Sequence, residues 1–278
     1  MANFIYDKVK INNLTFTFDG NSKITASNGT YSNPSCNSFS IHRVKDCPGS
    51  TKSCKQSCYV LGIKKNVNEL YNLYSDNSDN IRKYFGDSKY DYDINNLIDK
   101  FSTWINNNCH GKEFRWHVSG DVFNLEYAKF ITSVCKNSPS VRFWIYTRSF
   151  IFTTDHNTEY ADESIVRHLT TAGNLVVNIS ADKDNYHIAL PIANKYSLRI
   201  CYFVSDHDLI PADLPEGSVI FPDYNLRGRD MERPEDHPWW KQLSEKQKNM
   251  VCVVDFFGQS NLNRCGVCTK CLKFYHKR

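Results

Sequence analysis

Hydrophobic and polar positions follow two rhythms along this 278-residue chain. Residues 94–107 place Ile94, Leu97, Ile98, Phe101, Trp104 and Ile105 at steps of three and four, the apolar stripe of an amphipathic helix. From residue 114 onward, short apolar runs alternate with helical stripes. Residues 114–118, 141–146, 175–179 and 198–204 read as strands. Residues 125–136, 162–171 and 186–196, with Pro191 inside or bounding the last, read as helices. One strand and one helix in every ~25 to 35 residues imply a parallel sheet with helices outside it, hence an α/β fold built as a partial or full (β/α) barrel.

The flanks are less regular. A short apolar run, Phe39-Ser40-Ile41-His42-Arg43-Val44, reads as the first core strand. Before it, residues 11–18 alternate weakly and lead into Asp19-Gly20, a hairpin-turn dipeptide, so an N-terminal β-hairpin forming a lid or edge is expected. Leu70, Leu73, Ile81 and Phe85 give a helical pattern broken at Ser75-Asp76-Asn77-Ser78-Asp79. That stretch lacks the sixth-position glycine and closing glutamate of a calcium loop, and it reads as a solvated turn. Residues 209–245, with Pro211, Pro215, Pro222, Pro234 and Pro238, read as a long irregular connection pinned by Trp239-Trp240. The expected organisation is therefore a β extension over 1–38, a barrel core over 39–208, and a connection with a cysteine-rich tail over 209–278.

Charge changes this picture little. Thirty-four Lys and Arg against 30 Asp and Glu give a net charge of +4, and the lysines are scattered, so electrostatics neither require nor exclude a nucleic-acid partner. No secretory signal is read in the first residues, and no apolar run approaches a membrane span, so no membrane partner is expected. Eleven cysteines, an odd number, then argue for reduced thiols and metal ligation in a reducing cytoplasm rather than for a disulfide framework.

Seven of those cysteines form two clusters. Cys47, Cys54 and Cys58 lie in one loop directly after the first core strand, where Pro48 and Gly49 favour a turn and the step of four from Cys54 to Cys58 suits one helical turn. Three thiolates can hold three irons of a [4Fe-4S] cube and leave the fourth open to a small molecule; the alternative is a zinc loop completed by a distant His or Cys. Near the other end, Cys252 precedes Cys265, Cys268 and Cys271, a set that closes either a second [4Fe-4S] cluster or a four-thiolate zinc site. The C-x-x-C-x-x-C run resembles bacterial ferredoxin ligand runs, and Lys270, Lys273 and His276 would balance an anionic cluster. Ordinary burial explains Cys36, Cys109, Cys135 and Cys201. In barrels of this kind the chemistry sits at the carboxyl ends of the strands. Five polar loops fall there: the Cys47 loop, Ser119-Gly120-Asp121, Thr147-Arg148-Ser149, Ser180-Ala181-Asp182 and Ser205-Asp206-His207-Asp208. His117, on a strand, either faces the barrel interior or packs in the core.

The three-cysteine loop ending Cys58-Tyr59, followed by Ser119-Gly120-Asp121, resembles the radical S-adenosylmethionine superfamily, although the spacing here is C-x6-C-x3-C where the superfamily's is C-x3-C-x2-C. Over residues 39–271 the chain more closely resembles a phage family called gene product 88. That similarity rests on Phe39-Ser40, Cys47-Pro48-Gly49, Cys58-Tyr59, the run from Arg115 to Asp121, Tyr146-Thr147-Arg148-Ser149 and the Cys-Gly-x-Cys tail. The superfamily resemblance implies a barrel of radical S-adenosylmethionine type, with the open iron binding S-adenosylmethionine for reductive cleavage to a 5′-deoxyadenosyl radical. Tyr59, Ser119 and Gly120 would line the cofactor site. Asp121 would accept from the methionyl ammonium, Arg148 would pair with its carboxylate, and Ser180 would contact the ribose or carboxylate. It also implies a reductant such as flavodoxin or ferredoxin and, from the phage likeness, host cytoplasm and a nucleotide or nucleic-acid substrate. Catalytic residues are not assigned. Two rivals stand beside this reading. One is a non-catalytic iron-sulfur electron-transfer or redox protein. The other is a zinc-stabilised nucleic-acid-binding module with Lys270, Lys273, Lys277 and Arg278 on phosphate.

Overall fold

The computed structural model describes residues 6–20, 36–43, 45–58, 60, 68–86, 92–109, 113–153, 159–205, 209–258 and 265–274. Eight strands form one sheet: β1 (Tyr6–Ile11), β2 (Leu14–Asp19), β3 (Ser38–Phe39), β4 (Glu113–Trp116), β5 (Arg142–Thr147), β8 (Leu175–Ala181), β9 (Arg199–Val204) and β10 (Val219–Pro222), neighbouring one another in that order. A separate antiparallel hairpin, β6 (Ile151–Thr153) and β7 (Glu159–Ala161), is inserted after β5. β1, β2 and β3 pair antiparallel, and from β3 to β10 every pairing is parallel. The parallel strands follow chain order without reversal, so each connection steps the sheet the same way. The strand order leaves β1 and β10 as open edges, so among the described residues the sheet does not close into the full barrel that was one expectation.

Helices α1 (Lys52–Gln56), α2 (Asn68–Phe85), α3 (Ile94–Cys109), α4 (Leu125–Lys136), α5 (Ser164–Leu169) and α6 (Tyr186–Tyr196) lie between the strands in sequence. The stripe read in α3 is buried through Leu97, Phe101, Trp104 and Ile105, and Trp104 stacks on Phe18 with ring centroids 3.8 Å apart. α4 starts where its cap dictates, the Asn124 side chain accepting from the Tyr127 amide at 2.9 Å. Alternation along the strands divides the sheet into two faces. Phe114, Phe143, Ile145, Val177, Ile200, Tyr202 and Ile220 join the helices in the apolar core, while Arg115, Trp144, Tyr146, Val176, Asn178, Arg199 and Cys201 alternate onto the opposite face.

Three expectations give way. The N-terminal hairpin turns at Asn12-Asn13, both with positive φ (49° and 64°), and not at Asp19-Gly20. A two-residue turn with both centres left-handed matches strand twist, and Asn tolerates that region. Asp19 instead ends β2 inside the body, its carboxylate accepting from the Tyr74 hydroxyl at 2.9 Å. Of the lid or edge expected, the hairpin is the edge: β1 ends the sheet, and Phe16 and Phe18 belong to the main core. Second, Ser75 to Asp79 is no solvated turn but the middle of unbroken α2. The side chain of Asn77 accepts from Thr17 N at 2.7 Å and donates to Thr17 O at 2.7 Å and Ser40 O at 2.9 Å, so its polarity serves buried backbone. Third, the proline-rich stretch 209–245 contains β10, whose four residues between Ser218 and Asp223 are too few to show a period. Trp240 does pin the connection, stacked 4.5 Å from Phe256.

Replacing Asn77 by Ala strands three buried backbone groups. Asn77→Ala is expected to cost about 2 to 4 kcal/mol in urea unfolding, against less than about 0.5 kcal/mol for Asp76→Ala on the exposed side of the same helix.

Candidate functional site

The cysteine loop is fastened along the carboxyl edge of the parallel sheet. At its root the Asp46 carboxylate is fully buried, accepting from Ser78 Oγ and from Arg82 Nε at 2.6 Å, while Asp46 O accepts from Asp121 N at 2.7 Å. Gly49 lies directly on the Arg148 backbone, where a Cβ would sit 1.8 Å from the Arg148 oxygen. Thr51 caps α1 by accepting from Cys54 N at 3.0 Å, and its hydroxyl donates to Asp182 Oδ2 at 2.5 Å. Ser53 N donates to Asp184 Oδ2 at 2.9 Å, and Ser57 Oγ donates to Asp223 Oδ2 at 3.4 Å. Contacts to 119–121, 148, 182–184 and 223 bring the segments after β4, β5, β8 and β10 to one loop. Of the fifth expected loop, Ser205 is half-buried after β9, and Asp206, His207 and Asp208 lie outside the described residues.

Cys47, Cys54 and Cys58 are half-buried free thiols. Burial pushes Cys47 well above the usual thiol range, and Asp121, Cys54, Cys58 and Asp46 add to it. Cys54 is raised by burial, with the Arg148 guanidinium opposing and Cys58, Asp182 and Asp121 reinforcing. Cys54 and Cys58 thus act on Cys47, and Cys58 on Cys54, while Arg148 is the cation placed to favour a thiolate at Cys54.

The residues expected to meet a small-molecule cofactor are gathered here, but several are already engaged. Arg148 Nη1 pairs with buried Asp182 Oδ2 at 2.6 Å. Asp121 accepts from Arg148 N and Val122 N, each at 2.7 Å, and burial pushes its carboxyl up to about 6 against those bonds. Gly120 holds φ +82° where a Cβ would meet Ile41, and Ser119 O accepts from Ile41 N at 3.0 Å. The buried Ser119 hydroxyl has no hydrogen-bond partner among the described residues. Ser180 is half-buried on β8, its carbonyl accepting from Asn185 Nδ2 at 3.3 Å. Tyr59 lies outside the described residues. His117 packs: it sits at φ +60°, its Nε2 is 2.9 Å from the Tyr127 hydroxyl, and burial first, then Arg115, lowers its pKa to about 3.

The tail lies across the sheet face opposite the helices. Asn178 Nδ2 donates to Cys271 O at 3.2 Å, Arg199 Nη1 donates to Lys273 O at 3.0 Å, and Leu272 packs on Trp144 and Val176. Cys252 N donates to Ile220 O at 2.8 Å beside β10. Cys265 and Cys268 bound a one-turn helix, and Thr269, left-handed at φ 53°, redirects the chain to Cys271. Cys201 is buried in its strand as expected, and burial first, then Cys271, pushes its thiol well above the usual range. Cys36, Cys109 and Cys135 are buried as expected. Among the described residues no group of three or more His, Cys, Asp or Glu is gathered closely enough to hold a metal ion, and no helix is long and apolar enough to cross a membrane.

The family model described as Gene product 88 matches residues 13–274, nearly the whole chain. The chain belongs to the gene product 88 family. Gene 88 protein of Mycobacterium phage L5 is 25% identical over 183 residues, which cover 63% of this chain and 65% of that relative's length. No solved structure matches this member of the gene product 88 family.

Sequence reasoning named the Asp182 loop but not its tie to Arg148, and it passed over Asp46, Asp184 and Asp223 as loop anchors. Their only signal was position, each falling beside a turn or at a strand end.

Arg148→Met leaves the Asp182 charge buried without its cation and is expected to cost about 3 kcal/mol in chemical unfolding, with Arg148→Met/Asp182→Asn recovering part of the loss. Gly49→Ala is expected to lower stability by about 1 to 3 kcal/mol, whereas Gly173→Ala, with open space around its Cβ, stays within about 0.5 kcal/mol.

Proposed function

We propose that this gene product 88 protein is an iron-sulfur protein, with a [4Fe-4S] cluster held by Cys47, Cys54 and Cys58 in a radical S-adenosylmethionine-like (β/α) arrangement. The observation that carries the reading is where the loop is fastened. Three thiols stand at the carboxyl edge of parallel strands laid down in chain order, tied by Asp46, Gly49, Thr51, Ser53 and Ser57. The donors suit such a group in kind and number: three free thiols, with Cys54 and Cys58 near enough to Cys47 to add to the raising of its pKa. When bound, a cluster with three thiolate ligands supplies an electron and an iron open to a small molecule.

The chain's own part is to hold and charge the loop. Arg148 favours the thiolate at Cys54, and the raised pKa of Cys47 means that ligation there releases a proton, so cluster uptake strengthens as pH rises. Cys252, Cys265, Cys268 and Cys271 form the donor set of a second centre, iron-sulfur or zinc, on the far face of the sheet.

One observation favours a second reading, an electron-transfer or redox role without cofactor cleavage. Arg148 and Asp121, the groups offered to a methionyl carboxylate and ammonium, are both occupied by protein partners.

Anaerobically purified protein is expected to carry about four iron and four sulfide for the loop centre, and about twice that if the tail also holds a cluster. Cys54→Ser should lose the loop's share and Cys135→Ser should keep it. A change in the reduced EPR signal on adding S-adenosylmethionine supports the enzyme reading; an unchanged signal supports the redox one. Zinc without iron would overturn both.

A further inference from the structure

Beside the cysteine loop, one large aromatic ring is left mostly in water. After β10, two 3-10 turns, Tyr224–Leu226 and Gly228–Asp230, follow Asp223. Leu226 is buried, and Gly228 lies so near Pro234 that an added Cβ would meet the proline Cβ at 2.8 Å, so the turns are fixed while Tyr224 stays 60% exposed. Two guanidiniums flank that ring, Arg229 at 5.3 Å and Arg227 at 6.0 Å from its centroid, and Arg227 Nε donates to Pro222 O at 3.3 Å. The Asp223 carboxylate is spent inward, one oxygen accepting from the Tyr224 amide at 2.7 Å and the other from Ser57 Oγ at 3.4 Å. Ser57 ends α1, whose Lys52 and Lys55 are both exposed. Among the described residues the one carboxylate within ion-pair reach of any of these four cations is Asp230, 3.9 Å from Arg229 and itself exposed. The tail cations read for phosphate are placed otherwise: Lys270 Nζ donates to Asn249 O at 2.6 Å, and Lys277 and Arg278 lie outside the described residues.

We propose that this rim is a binding surface for single-stranded nucleic acid, with phosphates on Lys52, Lys55, Arg227 and Arg229 and an unstacked base on the exposed part of the Tyr224 ring. Phosphates repeated along a chain match cations spread over two neighbouring elements, and each one neutralised releases counterions. A ring exposed between guanidiniums adds what a plain polyanion site does not need, a flat apolar partner for a base. A duplex keeps its bases stacked and cannot use that ring. The strand passes beside Cys54, which α1 carries between Lys52 and Lys55, so the surface brings its ligand to the cysteine loop. Binding does not require iron in the loop, and it stands or falls apart from the proposed cluster.

The test uses full-length protein, with and without iron, and the fluorescence anisotropy of labelled DNA and RNA strands of about 12 nucleotides, beside a duplex of the same length. Single strands are expected to bind with a slope of log K against log salt of about −3, the value for four phosphate contacts. Tyr224→Ala should weaken that binding about 5- to 150-fold and keep the slope. Arg227→Ala/Arg229→Ala should cut the slope to about half, and Lys270→Ala/Lys273→Ala should change neither. A preference for RNA or for DNA tells which strand the surface takes, and either supports it. No salt-dependent binding of either strand overturns the proposal. So does equal binding of the duplex that Tyr224→Ala leaves untouched, which describes a general polyanion surface. Loss of binding in Lys270→Ala/Lys273→Ala, with the rim variants binding fully, returns the interface to the tail and overturns the proposal as well.

Discussion

A guanidinium and a carboxylate removed from water together hold the mouth of this sheet in one piece. Taking two ions into an interior costs several kcal/mol each unless their remaining hydrogen-bonding capacity is filled. Here it is filled by neighbours drawn from distant segments. Asp182 accepts from Arg148 and Thr51 through one oxygen and from the Asp184 amide through the other, and the Arg148 backbone amide goes on to Asp121. The first strand-end loop, β5 and β8 are thereby locked to one another by groups that tolerate little displacement. The thiols in that loop inherit their positions from this pair as much as from their own backbone.

The parallel half of the fold was legible because its strands are buried on both faces. Near-continuous apolar runs such as Leu175 to Ile179 stand out between helical stripes, and the ranges read for α4 and α6 coincide with the observed ones. Legibility failed where a polar residue does buried work. Asn77 and Ser78 look like a break in α2 because a sequence does not say that Thr17, Ser40 and Asp46 will be waiting for them. Asn12-Asn13 sits inside the alternating run, where nothing local marks it as the turn; the packing of Phe16 and Phe18 in the core and the pairing of Ile11 with Leu14 place it there.

For the candidate site, the sequence marked which strand ends converge but not how their charges are spent. Arg148 and Asp121 were visible as polar residues after successive strands. Their mutual engagement through a backbone amide, and the pairing of Arg148 with Asp182, depend on a sheet register that no spacing encodes.

The tail's resting place also orders events while the chain is being made. Strands that pair in chain order can each join their neighbour soon after leaving the ribosome, and the helices close their side as they come. The opposite face has no such progress. Asn178 and Arg199 wait for carbonyl groups 93 and 74 residues further on, and Trp144 and Val176 stay wet until Leu272 arrives. Between the emergence of Phe256, which completes the helix-side core, and that of Cys271, the nascent protein is therefore finished on one side and bare on the other.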